Sequence, residues 1–115
     1  MADPTTLTVQ TLTYTAAKLT FANADTSNGN RWKNTGRQFL ELVNNGATGE
    51  AVVTVATGGT VDGLAIANPT ITMAVGERFH GVFPRTDVYN DANGYVVLTY
   101  AGDGAADVDV AVFQY

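Results

Sequence analysis

Ser27 and His80 are the one serine and the one histidine of the chain, which also lacks cysteine. Acyl transfer needs a nucleophile, a base and an orienting group, so these two would have to meet. Ser27 lies in Thr26-Ser27-Asn28-Gly29, which is not the G-x-S-x-G elbow that exposes a nucleophile on a strand-to-helix turn. Nothing in the sequence brings it to His80, which reads as a surface histidine of a strand. One His and no Cys also argue against a zinc site, which draws its ligands mainly from those residues. For calcium, Asp91-Ala92-Asn93-Gly94 matches the middle of an EF-hand loop, but Tyr89 and Tyr100 stand at the first and twelfth positions, where carboxylates belong. Near the C-terminus are Asp103, Asp107 and Asp109; the last two read as the polar face of a strand whose other face carries Val108, Val110 and Val112. Eleven acidic residues could supply a glycosidase pair, yet no motif selects two of them. Gly58 to Gly63 has no Lys and no following helix, so it is not a phosphate loop. The expectation is a protein with no catalytic residue, no metal and no cofactor.

Binding chemistry is more visible. Asn30-Arg31-Trp32-Lys33-Asn34-Thr35-Gly36-Arg37 combines three cations with the only Trp. Arg and Trp bury large surfaces with directed polar contacts, so Arg31, Trp32, Lys33 and Arg37 are the candidate partner-binding residues. The competing reading folds Trp32 back over a sheet edge and leaves the cations solvated. A second binding chemistry, that of a carbohydrate- or receptor-binding module, would use Tyr89, Tyr95, Tyr100 and Tyr115 as a platform with Asp87 and Asp91.

These side chains need a scaffold, and the composition points to strands. The chain has 17 Thr and 14 Val against 2 Lys and 3 Glu; branching at Cβ suits the pleated strand and costs rotamer freedom in a helix. Thr6 to Tyr14 alternates with a change of phase near Gln10-Thr11, which predicts one strand with a bend there. A short strand is expected at Lys18 to Phe21, and a long loop from Ala24 to Arg37. Gln38 to Asn44 and Glu50 to Ala56 read as antiparallel partners joined at Asn45-Gly46. Further strands are expected at Thr70 to Val75, Arg78 to Phe83, Tyr95 to Tyr100 and Asp107 to Val112, with Pro84 ending the second of these. The predicted fold is all-β: an antiparallel sandwich or barrel of seven to eight short strands, Greek-key or jelly-roll-like. Its core is predicted to hold Leu40, Leu42, Val53, Val55, Ile71, Met73, Val97, Val110 and Val112.

With 115 residues and 45% hydrophobic content, the chain is expected to be one domain, residues 1–115, with residues 1–5 a flexible arm. A net charge of −5 opposes binding to nucleic acid or to an anionic membrane. The first forty residues carry Lys18, Arg31, Lys33 and Arg37 against Asp3 and Asp25, whereas the rest carries Arg78 and Arg85 against nine acids. Two different faces follow from that split. The longest apolar runs are far shorter than the ~20 residues of a spanning helix. Met1-Ala2-Asp3-Pro4 lacks the basic and apolar parts of a secretory signal, so synthesis is expected to leave the chain inside the producing cell.

From Thr6 to about Phe113 the sequence resembles the capsid decoration, or cement, proteins encoded among the head genes of tailed bacteriophages. The stretches that carry the resemblance are TLTVQTLTYT, GRQFLELVNNG, VTVATGGTVDGLAIANPTITMAVGE and GVFPRTDVYNDANGYVVLTY. Members of that family often have a Pro after the residue corresponding to Gly81, where this chain has Val82. The resemblance implies a β domain with no catalytic motif, made in the host cytoplasm and bound to the outside of the capsid in the virion. It implies the major capsid protein as partner and a homo-oligomer, with a trimer favoured.

Overall fold

The computed structural model describes residues 3–13, 15, 19–61 and 63–114, and in them the chain forms two five-stranded sheets packed face to face. The strands are β1 (Thr5–Thr6), β2 (Val9–Thr11), β3 (Ala22–Asn23), β4 (Asn30–Lys33), β5 (Gln38–Asn44), β6 (Ala51–Val55), β7 (Thr60–Val61), β8 (Leu64–Ala65), β9 (Thr70–Met73), β10 (Arg78–Val82), β11 (Tyr95–Ala101) and β12 (Val108–Gln114). The first sheet runs β1-β4-β11-β6-β9. The second runs β10-β5-β12-β2, with β3 also on β12, and β7-β8 form a separate small pair. A one-turn helix α1 (Thr86–Tyr89) and a 3-10 turn (Ala105–Asp107) are the helical elements among the described residues.

The predicted all-β sandwich is therefore what forms, with several differences. The sheets are mixed, because the N-terminal strand pairs parallel with its neighbours: Thr5 beside Asn30 in the first sheet and Val9 beside Val112 in the second. Its break falls at Leu7-Thr8, where it passes from one sheet to the other, and not at Gln10-Thr11. Thr5 already belongs to β1, so it is not part of a free arm; the predicted strand at Lys18 to Phe21 starts on a residue outside those described, and the pairing strand is Ala22–Asn23.

Strands β5 and β6 do not pair with each other. β5 lies between β10 and β12, and β6 between β11 and β9, so Asn45-Gly46 begins a crossing between sheets instead of a hairpin. Asn44 drives that crossing. Its buried amide donates to the carbonyls of Gly49 (3.0 Å) and Met73 (3.2 Å), and its own backbone carbonyl accepts from Gly76, so backbone groups that a hairpin would pair inward are satisfied across the sandwich.

The core is the set of inward positions on both sheets, including Trp32, Leu40, Leu42, Val53, Val55, Met73, Val96, Leu98, Val108, Val110 and Val112. Burying a side chain of this size stabilises the fold by about 1.5–3 kcal/mol. Val97 is not among them. It is half-buried on the outer face, because β11 is set so that Val96, Leu98 and Tyr100 point inward; the run Val96-Val97-Leu98 is apolar on both faces and offers no period to read. Ile71 is partly buried against the core.

The predicted loop from Ala24 to Arg37 contains β4, which β11 pairs from Tyr95 beside Lys33 to Leu98 beside Asn30. Gly29 makes this possible. Its φ is +79°, and a Cβ there would sit 2.3 Å from the Leu98 carbonyl oxygen, so only glycine lets the chain turn this close to β11.

Candidate functional site: a basic corner at the end of the first sheet

Alternation along β4 sends Trp32 inward and Arg31 and Lys33 outward. Trp32 is completely buried, with its ring 5.7 Å from that of Phe83, so it cannot anchor a partner and is corrected to a core residue. Its indole N–H has no hydrogen-bond acceptor in the structure. The aromatic ring that does accompany the cations is Tyr95, the residue opposite Lys33 on β11. The Arg31 guanidinium carbon lies 4.3 Å and the Lys33 ammonium nitrogen 5.1 Å from its ring centroid, both within cation–π range. Arg31 Nε donates to Thr6 Oγ1 (3.1 Å), and Lys33 Nζ donates to the Asn93 carbonyl (2.8 Å). Three side chains from two strands are thus held in one arrangement, with cationic hydrogen atoms left over.

The corner sits at the end of the sandwich where β4 finishes and β11 begins. The turn beside it is rigid: the Asp91 carboxylate accepts from the amides of Asn93 (2.9 Å) and Tyr95 (3.0 Å). Asn34, buried just past Lys33, donates to the Phe83 carbonyl (2.9 Å) and to Asn90 Oδ1 (2.8 Å), and Asn90 donates back to the Asn34 carbonyl (2.7 Å). The loop of residues 83–94 is thereby locked onto the end of β4. Arg37 is exposed beyond the Thr35-Gly36 turn, at the start of β5 in the other sheet, and stands apart from this corner.

The rest of the outer face of the first sheet carries hydroxyl and aliphatic groups in register. Thr99, Thr54 and Thr70 form one row, and Ala101, Val52 and Thr72 the next. In a chain of net charge −5, the outward positions of β4, β11, β6 and β9 include no acid.

Other expected sites are dispersed. Tyr100 is buried and Tyr89 packs on Phe83 with ring centroids 5.1 Å apart, so of the three described tyrosines only Tyr95 is available for a platform; Tyr115 lies outside the described residues. Asp87 pairs with Arg85 at 2.7 Å. Ser27 belongs to a turn held by the Asp25 carboxylate before β4, while His80 is exposed on β10, in the other sheet. Asp107 lies in the 3-10 turn, and Asp109 accepts from Asn23 (3.3 Å) and from Asn45. Among the described residues no three His, Cys, Asp or Glu side chains group closely enough to hold a metal ion, and no helix is long and apolar enough to cross a membrane. Compared with known protein families, curated proteins and solved structures, the chain matches none.

The sequence names Arg31 and Lys33 as candidates and Tyr95 only as part of a separate tyrosine platform, not as their neighbour. The signal was present in principle: Arg31, Trp32 and Lys33 alternate, and in a strand the middle residue must face away from the other two.

Proposed function

We propose that this chain is a non-enzymatic virion protein that binds the outside of an assembled phage capsid and holds it closed, docking through the Arg31–Lys33–Tyr95 corner. The observation that carries the reading is that two cations, in no ion pair among the described residues, flank a ring on a sheet face whose outward strand positions carry no acid, within an acidic chain. Such a surface suits an acidic, partly apolar patch of the major capsid protein, and the resemblance noted above supplies that partner.

The mechanism is mass action. A protein that binds the closed lattice and not its separated subunits stabilises the lattice by RT ln(1 + [L]/Kd), about 2.7 kcal/mol per site at a hundredfold excess over Kd. Many copies act together on one shell. The cations would steer the acidic partner and set the salt dependence of the on-rate, and the ring would slow release.

The test is occupancy of empty expanded capsids of the encoding phage. In titrations spanning the wild-type Kd, Lys33→Glu and Tyr95→Ala should each raise Kd by at least about tenfold, a change of ~1.4 kcal/mol, while Arg85→Glu, at the exposed pair with Asp87, should leave it unchanged. Full occupancy by both corner variants would reject this docking site, and absence of binding by the wild-type chain would reject the function.

A further inference from the structure

The outer face of the second sheet is organised in three rows across β10, β5 and β12. Register places Val82, Phe39 and Phe113 in one row, His80, Glu41 and Ala111 in the next, and Arg78, Val43 and Asp109 in the third. The first row is apolar and uneven. At its β10 end Val82 stands 64% exposed. At its β12 end Leu12 and Leu19, 45% and 55% exposed, rise over the sheet and with Phe39, Glu41 and Phe113 line a hollow of about 150 Å³. β10 is the end of the sheet order, and among the described residues no strand pairs its far side. A projecting apolar group and an apolar hollow thus share one face, two strands apart. The third row has the same polarity of arrangement in charge, with a cation on β10 and an acid on β12.

We propose that a second copy of this chain packs against this face about a twofold axis that runs parallel to the strands above β5. Such an axis keeps every row at its own level and sets β10 of each copy over β12 of the other. Val82 of each copy then enters the hollow of the other, and Arg78 of each reaches Asp109 of the other. Facing sheets pack about 10 Å apart, a distance that side chains of this length span. Leu12 and Leu19 of each copy come to lie beside the open β10 edge of the other, which covers an otherwise unpaired strand. Pairing the two β10 edges side by side in one sheet would instead bring Arg78 next to Val82 and leave both hollows empty. The one unfavourable contact is between the two Glu41 side chains, which approach each other near the axis.

Because the same patch serves both copies, the contact closes at two chains and does not build a ring of three. The axis follows the strands, so both Arg31–Lys33–Tyr95 corners end up at the same end of the pair, free to bind. The inference stands on the second sheet alone and does not depend on what the corner binds.

Sedimentation equilibrium of the purified full chain, from low-micromolar to submillimolar concentration, tests it without any capsid. The expected species has twice the 12.1 kDa mass of the chain. Val82→Asp and Arg78→Asp should each raise the dissociation constant by an order of magnitude or more while thermal melting shows an intact fold. Glu41→Gln should tighten the pair severalfold, an effect that a merely structural role would not produce. Combining Arg78→Asp with Asp109→Arg should recover pairing; Asp109 also accepts from Asn23 and Asn45, so if that double variant unfolds, the Glu41→Gln result decides. A mass of one or three chains throughout the range would overturn the proposal. So would a pair indifferent to Val82→Asp and Arg78→Asp, or one that Glu41→Gln fails to tighten.

Discussion

The Tyr100 hydroxyl donates to Asn30 Oδ1 at 2.8 Å inside the apolar core. The same Asn30 oxygen accepts from the Asp25 amide (3.1 Å), and its nitrogen donates to the Thr5 carbonyl (3.2 Å). One buried amide therefore ties β11, the turn before β4 and the N-terminal strand together. Burial first, and the nearby Asp25 charge second, hold the Tyr100 phenol well above its ordinary pKa of 10.0.

That shift makes stability fall in alkali. Above the unfolded phenol's pKa of ~10, the unfolded chain has lost the proton and the folded chain keeps it, so stability drops by about 1.4 kcal/mol per pH unit from this group. Below that pH the contribution is fully present. Urea midpoints at pH 9 and pH 11 should diverge more for the wild type than for Tyr100→Phe. Equal divergence would mean that the phenol is not held in the core. Asn30→Leu should cost more at neutral pH, about 2–4 kcal/mol, because it orphans the buried Tyr100 hydroxyl and two part-buried backbone groups where Tyr100→Phe removes one partner.

At the acid end Asp25 is the group to watch. Its hydrogen bonds from Thr5 Oγ1 (2.6 Å) and from the amides of Asn28 and Ser27 lower its pKa below the ordinary 3.8. The folded pKa is depressed, so the contribution is present above the unfolded value and lost as pH falls through the folded one. Melting curves of wild type and Asp25→Asn should converge as pH drops below about 4, with the wild type higher at neutral pH.

Trp32 supplies a spectroscopic check, since it is the only Trp in the chain. Full burial should give blue-shifted emission that acrylamide quenches poorly. Trp32→Ala should cost about 3–5 kcal/mol through the cavity it leaves. Trp32→Phe should cost much less than its lost area suggests, because an unpaired buried donor is itself unfavourable by about 1–3 kcal/mol. Red-shifted, readily quenched emission would return the residue to the surface.

The registration of β11 is tested by neighbours. Val96→Asp places a carboxylate among Trp32, Val53 and the rest of the core and should abolish folding or cost several kcal/mol. Val97→Thr, one residue on, should stay within about 0.5 kcal/mol of wild type. Denaturant titration of the two variants distinguishes the faces directly.

Much of the architecture was legible in these residues, and the failures share a cause. Eight of the nine predicted core positions, on β5, β6, β9 and β12, are buried or packed against the core; the period shows most clearly where Thr70 and Thr72 alternate with Ile71 and Met73, and where Asp109 stands between Val108 and Val110. Val97 failed where three apolar residues in a row erased the period. β4 reads as loop because Asn28, Gly29, Asn30 and Asn34, in and around it, are turn formers, although Asn30 and Asn34 are buried structural ligands of backbone and side chain. Asn45-Gly46 looked like a hairpin because local turn chemistry is the same whether a chain returns within a sheet or crosses to another. Which of the two happens depends on partners far away in sequence, here Gly49, Met73 and Gly76. The site suffered from the same limit, since Tyr95 joins Arg31 and Lys33 only once β11 has paired with β4.

The second strand, β2, and the last of the described strands, β12, are hydrogen-bonded neighbours, with Val9 beside Val112 and Thr11 beside Gln114. A growing polypeptide cannot make that contact until β12 has been synthesised, which at ~5–20 residues per second leaves β2 waiting for several seconds. During that wait Val9 and the outer flank of the second sheet have no mate, and the loop that must finally close is nearly the whole chain. Folding should therefore finish only once β12 has left the ribosome, in the slow millisecond-to-second range of domains whose pairings are mostly distant. Chains stalled before Val108 should be readily digested by protease.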